Sequence, residues 1–200
     1  MRVIRASSDD EMVAVFLRGE LLSDRVGETV REGLAEAGVG EDVILDADLE
    51  DARENALRRE ILGTARGFDR PEGLFWGFPD DVRWQRAALA PAEVLAIRFI
   101  DYDYWVELSG GSRLPTDAAR QIRAGVTVFG VPNDGFFAVA ESFESSLPPP
   151  LIAVGGVGPG LVLLEGHVRL TAFALRPDLL PEELELLVGQ SARIDEWALW

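Results

Sequence analysis

The stretch LVLLEGHVRLTAFAL, residues Leu161–Leu175, opens with four apolar residues, breaks at Glu165-Gly166-His167-Val168-Arg169, and then runs apolar on several faces. A short apolar run bounded by glycine reads as a buried strand, and the longer apolar segment after it reads as a buried helix. The polar cluster therefore falls at a strand-to-helix turn. There the first N–H groups of the helix are free and its dipole favours an anion. His167 is the only histidine of the chain, and no other arginine occurs between Arg123 and Arg169. The candidate site is placed here.

Composition narrows the chemistry around this stretch. The 200 residues suit one domain, or a domain with a helical extension, and 48% apolar content supports a core without staples. With no cysteine there is no disulfide, no thiolate nucleophile and no cysteine-ligated metal. A single histidine also excludes a multi-histidine metal site within one chain. All 19 basic residues are arginine, which removes a P-loop lysine and a Schiff-base lysine. The formal charge of −16 is shared between the halves: 21 acids face 13 arginines in residues 1–100, and 14 face 6 in residues 101–200. No concentrated basic face is available to grip nucleic acid or an anionic membrane. The start of the chain, MRVIRASSDDEM, has no apolar core of a signal peptide, and no segment approaches a membrane span. A cytoplasmic protein is expected.

Working outward toward the N-terminus, Met1–Arg5 reads as a short first strand or as an ordered lead-in. Ser7-Ser8-Asp9-Asp10 offers N-caps for a helix with Met12, Val13, Phe16 and Leu17 on one face. A second helix from Ser23 or Asp24 carries Val26, Val30 and Leu34. A third, from about Asp48 to Arg66, carries Leu49, Ala52, Ala56, Leu57, Ile61 and Leu62 and stops at Gly67. Residues 68–84, FDRPEGLFWGFPDDVRW, read as a loop anchored on the core by Phe75, Trp76, Phe78 and Trp84, with a stacking platform for a base as the alternative.

From Pro91 onward the apolar runs are short. Val94–Ile100 reads as a strand, and its continuation by alternation places Asp101, Asp103 and Trp105 on one side. Asp101 and Asp103 could then bind a metal or act as bases; a solvated edge or a helix-capping role is the commoner use of such residues. Ser109-Gly110-Gly111-Ser112-Arg113 is a loop open to close approach of a ligand, and Thr116 caps a helix that ends at Gly125. Val126–Val131 and Phe136–Ala140, joined by Pro132-Asn133-Asp134-Gly135, read as a hairpin. Leu151–Val154 is another strand, the glycine-rich run Gly155–Gly160 a hairpin loop, and Leu186-Leu187-Val188 a closing strand.

The site chemistry follows from the residue types. Arg169 offers a bidentate fork to phosphate. The amides of Gly166, His167 and Val168 complete a cradle. His167 can contact a phosphate oxygen or exchange a proton. Glu165 can orient His167, hold magnesium, or act as base toward a hydroxyl. The alternative is a structural network in which Glu165 pairs with Arg169 and His167 caps the helix.

The order Ser112-Arg113, helix, Pro150-Leu-Ile-Ala-Val154, turn, then LVLLEGHVRLTA resembles the ParB/sulfiredoxin-like superfamily over residues 94–190, with Val126–Leu147 as an insertion. The Glu165-Gly166-His167-Val168-Arg169 run is similar to the Asp-Gly-His-x-Arg form of free serine kinases and ParB-like nucleotide-binding domains, with Glu165 in place of the aspartate. Sulfiredoxin itself is excluded by the missing cysteine, and partition proteins by the missing basic DNA-binding domain. The resemblance implies an α+β fold, a mixed sheet with flanking helices, made of a helical N-terminal extension (1–90) and a ParB/sulfiredoxin-like domain (91–200). It further implies a nucleoside triphosphate or diphosphate, with Mg, bound by Gly166, His167, Val168, Arg169, Ser112 and Arg113. Glu165, His167 and Asp101 would be catalytic, and Glu165 and Asp103 would hold the metal. The expected function is nucleotide-dependent phosphotransfer or hydrolysis on a small polar substrate. Its rival is a module that senses a nucleotide or binds a protein partner or a second copy of itself, with nucleic acid and membrane disfavoured.

Overall fold

The computed structural model describes residues 1–145, 148–158 and 160–200. Five strands form one mixed sheet: β1 (Arg2–Ala6), β2 (Arg83–Leu89), β3 (Ile152–Gly155), β4 (Leu161–Glu165) and β5 (Leu184–Gln190), in the order β1-β2-β5-β3-β4. All pairs are antiparallel except β3 with β5, which are parallel. Nine α-helices surround the sheet among the described residues: α1 (Asp9–Glu20), α2 (Gly27–Glu36), α3 (Asp42–Leu45), α4 (Ala52–Arg66), α5 (Pro91–Val94), α6 (Asp103–Leu108), α7 (Pro115–Arg123), α8 (Gly135–Ser142) and α9 (His167–Leu175). The fold is α+β.

Alternation along the strands builds two cores, one on each face of the sheet. Ile152, Val154, Val162, Leu164 and Leu187 point to the face covered by α1, α2 and α4, where Met12, Phe16, Val30 and Leu62 are buried. Ala153, Leu163, Leu186 and Val188 point to the other face, where Leu108, Ile122, Leu170 and Phe173 of α6, α7 and α9 are buried. The product is a three-layer arrangement with α9 and the N-terminal helices on opposite sides. β1 and β2 come from residues 1–90 and β5 from residues 91–200, so the sheet runs across the expected boundary.

The three expected N-terminal helices are α1, α2 and α4. Met12, Phe16, Val30, Leu34, Ile61 and Leu62 are buried as expected, whereas Leu49, Ala52 and Ala56 are exposed and α2 starts at Gly27 rather than at Ser23 or Asp24. Ser8 Oγ caps α1 by accepting from the Glu11 N–H at 3.2 Å. Asp51 caps α4 by accepting from Arg53 and Glu54, so this helix starts later than Asp48. Gly67 ends α4 at φ 83°, a left-handed conformation that glycine adopts at no steric cost. Arg58 is fully buried and ties the bundle, donating to the carbonyls of Val43 and Asp48 at 2.7 and 2.8 Å and to Asn55 Oδ1 at 2.6 Å. In the 68–84 segment, Phe75, Phe78 and Trp84 pack edge-on or stacked in the core with Phe68 and Trp197, whereas Trp76 is 64% exposed.

Five expectations are corrected. Residues 94–100 are not a strand: α5 ends at Val94, and only Arg98 pairs with the sheet, exchanging main-chain bonds with Leu161 and Leu163 on β4. Residues 103–108 are helical, so the alternation that grouped Asp101, Asp103 and Trp105 does not exist. Phe136–Ala140 belongs to α8, not to a returning strand, because Phe136, Val139, Ala140 and Phe143 recur at helical spacing toward the core. β5 does not close the sheet but lies at its centre, between β2 and β3. In α7, Leu114 rather than Thr116 holds the N-cap position, with Pro115 at the first helical position, where its missing N–H costs nothing. The glycine-rich run joins β3 to β4 as expected, with Pro159 outside the described residues, as are Ser146 and Leu147 of the expected insertion.

Candidate functional site at the start of the ninth helix

The turn between β4 and α9 is made by Gly166 alone, at φ 103°. A side chain there would collide with Leu151, and a Cβ would also come within 3.4 Å of the Arg169 guanidinium. Glycine is therefore required both by conformation and by space. α9 begins at His167, with no side-chain cap and no acidic residue in its first turn.

The side chains around this turn are mostly engaged. Arg169 forms an ion pair with Glu165 and donates from Nη1 to the carbonyls of Pro149 and Pro150 at 2.6 and 2.9 Å. Burial lowers its pKa to about 10, against the opposing charge of Glu20, so the guanidinium stays charged at neutral pH. The N-terminal helices close over this pair. A Cβ on Gly19 of α1 would lie 2.8 Å from Arg169 Nη2 and 2.9 Å from Glu165 Oε1. Next to it, buried Glu20 accepts from Arg66 at 2.7 Å.

His167 lies inside an aromatic wall. Its ring stacks on Trp105 of α6 at 5.1 Å and on Phe99 at 6.0 Å. Burial depresses its pKa to about 3, and the charges of Arg66 and Arg25 push the same way. The imidazole is therefore neutral near pH 7, and its buried Nε2 has no hydrogen-bond partner among the described residues. Arg25 is exposed, and among the described residues its guanidinium makes no ion pair. Val168, the next residue of the first turn, is 44% exposed.

The other predicted residues have partners of their own or are exposed. Arg113 donates to the main-chain oxygens of Phe99 and Trp200 at 2.8 and 3.0 Å, and it sits at φ 61°. Burial and the neighbouring Arg98 lower its pKa, while Asp101 opposes them. Its hydrogen bonds fasten the segment around Phe99 to the last residues of the chain. Ser112 Oγ accepts from the Leu114 N–H at 3.1 Å and donates to the Ser109 carbonyl at 3.1 Å, forming the entry to α7. Asp101 and Asp103 are exposed, and Asp103 opens α6 two residues before Trp105. Among the described residues, no three His, Asp or Glu side chains converge as a metal site. Glu165 is paired with Arg169, and Asp103 is exposed at the start of α6.

The structure thus joins Glu165, Gly166, His167, Val168 and Arg169 and adds Trp105, Phe99, Gly19, Glu20, Arg25 and Arg66 around them. The added residues come from elements 60 or more positions away in sequence, and no local pattern marks them. Among the described residues, no helix is long and apolar enough to cross a membrane. Comparison with family models, with curated proteins and with solved structures finds no match to this chain.

Proposed function

We propose that this chain is a nucleotide-binding module of the ParB/sulfiredoxin-like type, holding the phosphates of a nucleoside diphosphate or triphosphate at the start of α9. The observation that carries the reading is His167. It is a neutral imidazole whose buried Nε2 lacks a partner, beside an uncapped helix start and the cations Arg25 and Arg66. The free amides and the helix dipole favour a phosphate there. His167 then supplies a neutral hydrogen-bonding group, and Arg25 the charge that a net −16 chain otherwise lacks.

Binding without turnover suits this geometry better than phosphotransfer. A histidine with pKa about 3 is a poor proton acceptor near neutral pH, and Glu165 is held by Arg169. Phosphotransfer would require that ion pair to open when ligand enters, freeing Glu165 as a base. Arg169 itself acts as a brace for the turn, and Arg113 as a brace for the C-terminal segment.

The test is a thermal-shift screen with ATP, ADP, CTP and GTP, with and without magnesium, on the wild type and Arg25→Ala. Arg25 is exposed and makes no ion pair among the described residues, so its removal spares the fold. The expected result is a rise in Tm with one nucleotide that shrinks in the variant, with the nucleotide recovered intact. No rise with any of them overturns the proposal, and conversion of the bound nucleotide establishes turnover.

A further inference from the structure

The insertion after α7 ends in a two-residue turn that carries an aromatic tip. Val128 and Val131 exchange main-chain hydrogen bonds of 3.2 and 2.9 Å, leaving Phe129 and Gly130 as the turn. Both central residues have positive φ, 51° and 77°, the signs that a type I′ turn requires. Gly130 fits that demand, but the residue before it is ordinarily asparagine, aspartate or glycine. A bulky residue in the left-handed region is a true outlier, and such strain persists where something other than stability selects it.

Phe129 gains nothing from burial in return, for it is 71% exposed. Val131 is 57% exposed, Phe137 39% and Val126 36%, so apolar side chains are exposed at the tip and on both sides of it in sequence. Val128 between them is buried and Asn133 is held by Tyr104 at 2.7 Å, which anchors the loop to the body.

Charge identifies the occupant. From Ala124 to Val168 the sequence has no arginine, and Asp134 and Glu141 flank the apolar residues. Arg123, at the base of the loop, is turned away and donates to the Leu175 carbonyl at 2.6 Å. A second copy of a −16 chain, an anionic membrane and a nucleic acid are all repelled by such a surface. A basic protein surface is attracted. We propose that residues 126–137, the turn and the start of α8, are a docking element whose anchor, Phe129, inserts into an apolar pocket rimmed by arginine or lysine on a partner protein. Phe136, at the end of this segment, packs at 6.2 Å on Trp105, the ring that stacks on His167, so the surface adjoins the proposed phosphate site, although the docking proposal does not rest on that site.

The experiment pairs two readouts on the full chain. Phe129→Asn supplies the residue that the turn prefers, so Tm rises by about 2–4 °C, the shift expected of a protein this size for relief of modest strain. Binding is read by fluorescence anisotropy with a panel of synthetic helical peptides, leucine on one face and arginine on the other, at 150 mM NaCl. The wild type binds members of the panel, and Phe129→Asn weakens them at least tenfold. Leu22→Ser, which removes another exposed apolar side chain, leaves binding unchanged. Any of four results overturns the proposal: no peptide of the panel bound, equal binding by Phe129→Asn, a fall in Tm for that variant, or self-association that the variant abolishes. The last would make a second copy the occupant.

Discussion

At the scale of the residue, Glu11 shows how a local signal acquires a non-local use. In the sequence it is first-turn negative charge for α1. In the structure it is buried and accepts from Arg5 at 2.6 and 2.8 Å, from Ser7 at 2.6 Å and from Arg86 at 2.9 Å, joining β1, β2 and α1. Burial alone would raise its pKa, but these bonds hold it down at about 2 from an ordinary 4.5. A depressed folded-state pKa means that the unfolded chain binds the proton first. The stability from Glu11 is therefore complete above about pH 4.5 and lost as pH falls toward 2. Urea denaturation of wild type and Glu11→Gln should diverge at pH 6 and converge near pH 2; a constant gap would remove the network from the account. His167 follows the same lesson. Its uniqueness is visible in the sequence, but the rings of Phe99 and Trp105 that bury it come from another part of the chain.

At the scale of the element, periodicity and turn signals competed, and tertiary contacts settled the contest. α1, α2 and α4 were legible because apolar residues recur at helical spacing in each, and Gly67 marked the end of α4, although the buried face of α4 is made by Asn55, Arg58, Ile61 and Leu62, with the expected Leu49, Ala52 and Ala56 exposed. Pro132-Asn133-Asp134-Gly135 drew the reading toward a hairpin, although Phe136, Val139, Ala140 and Phe143 keep helical spacing. The strand after Pro91 failed because apolar residues there fill a core from irregular chain, which periodicity does not describe. The β4–α9 turn was legible, since only a glycine allows the chain to reverse so sharply into a helix. Gly166→Ala should cost about 1–3 kcal/mol from backbone strain, before any displacement of Leu151 is counted. Urea unfolding monitored by tryptophan fluorescence measures it, and a loss below that range would mean that the turn relaxes freely.

At the scale of the whole molecule, charge and connectivity dominate. The formal −16 makes like-charge repulsion a general opponent of compaction, and salt screens it over about 10 Å at 0.1 M. Raising NaCl from 20 to 500 mM should therefore raise Tm in scanning calorimetry. A fall would mean that the surface ion pairs, weakened by the same salt, outweigh the repulsion. The sheet order was not legible, because short apolar strands give no sign of their neighbours. The central place of β5 also bears on how the protein is made. β2 emerges during synthesis with β1 to pair with, but its other neighbour, β5, lies 95 residues later, counting from Leu89 to Leu184. At about 5–20 residues per second, the ribosome delivers it about 5–20 seconds afterwards. Until then β2 has an open inner edge and β3 lacks its parallel partner, so the nascent chain holds the two parts of its sheet apart and joins them only once β5 has been made.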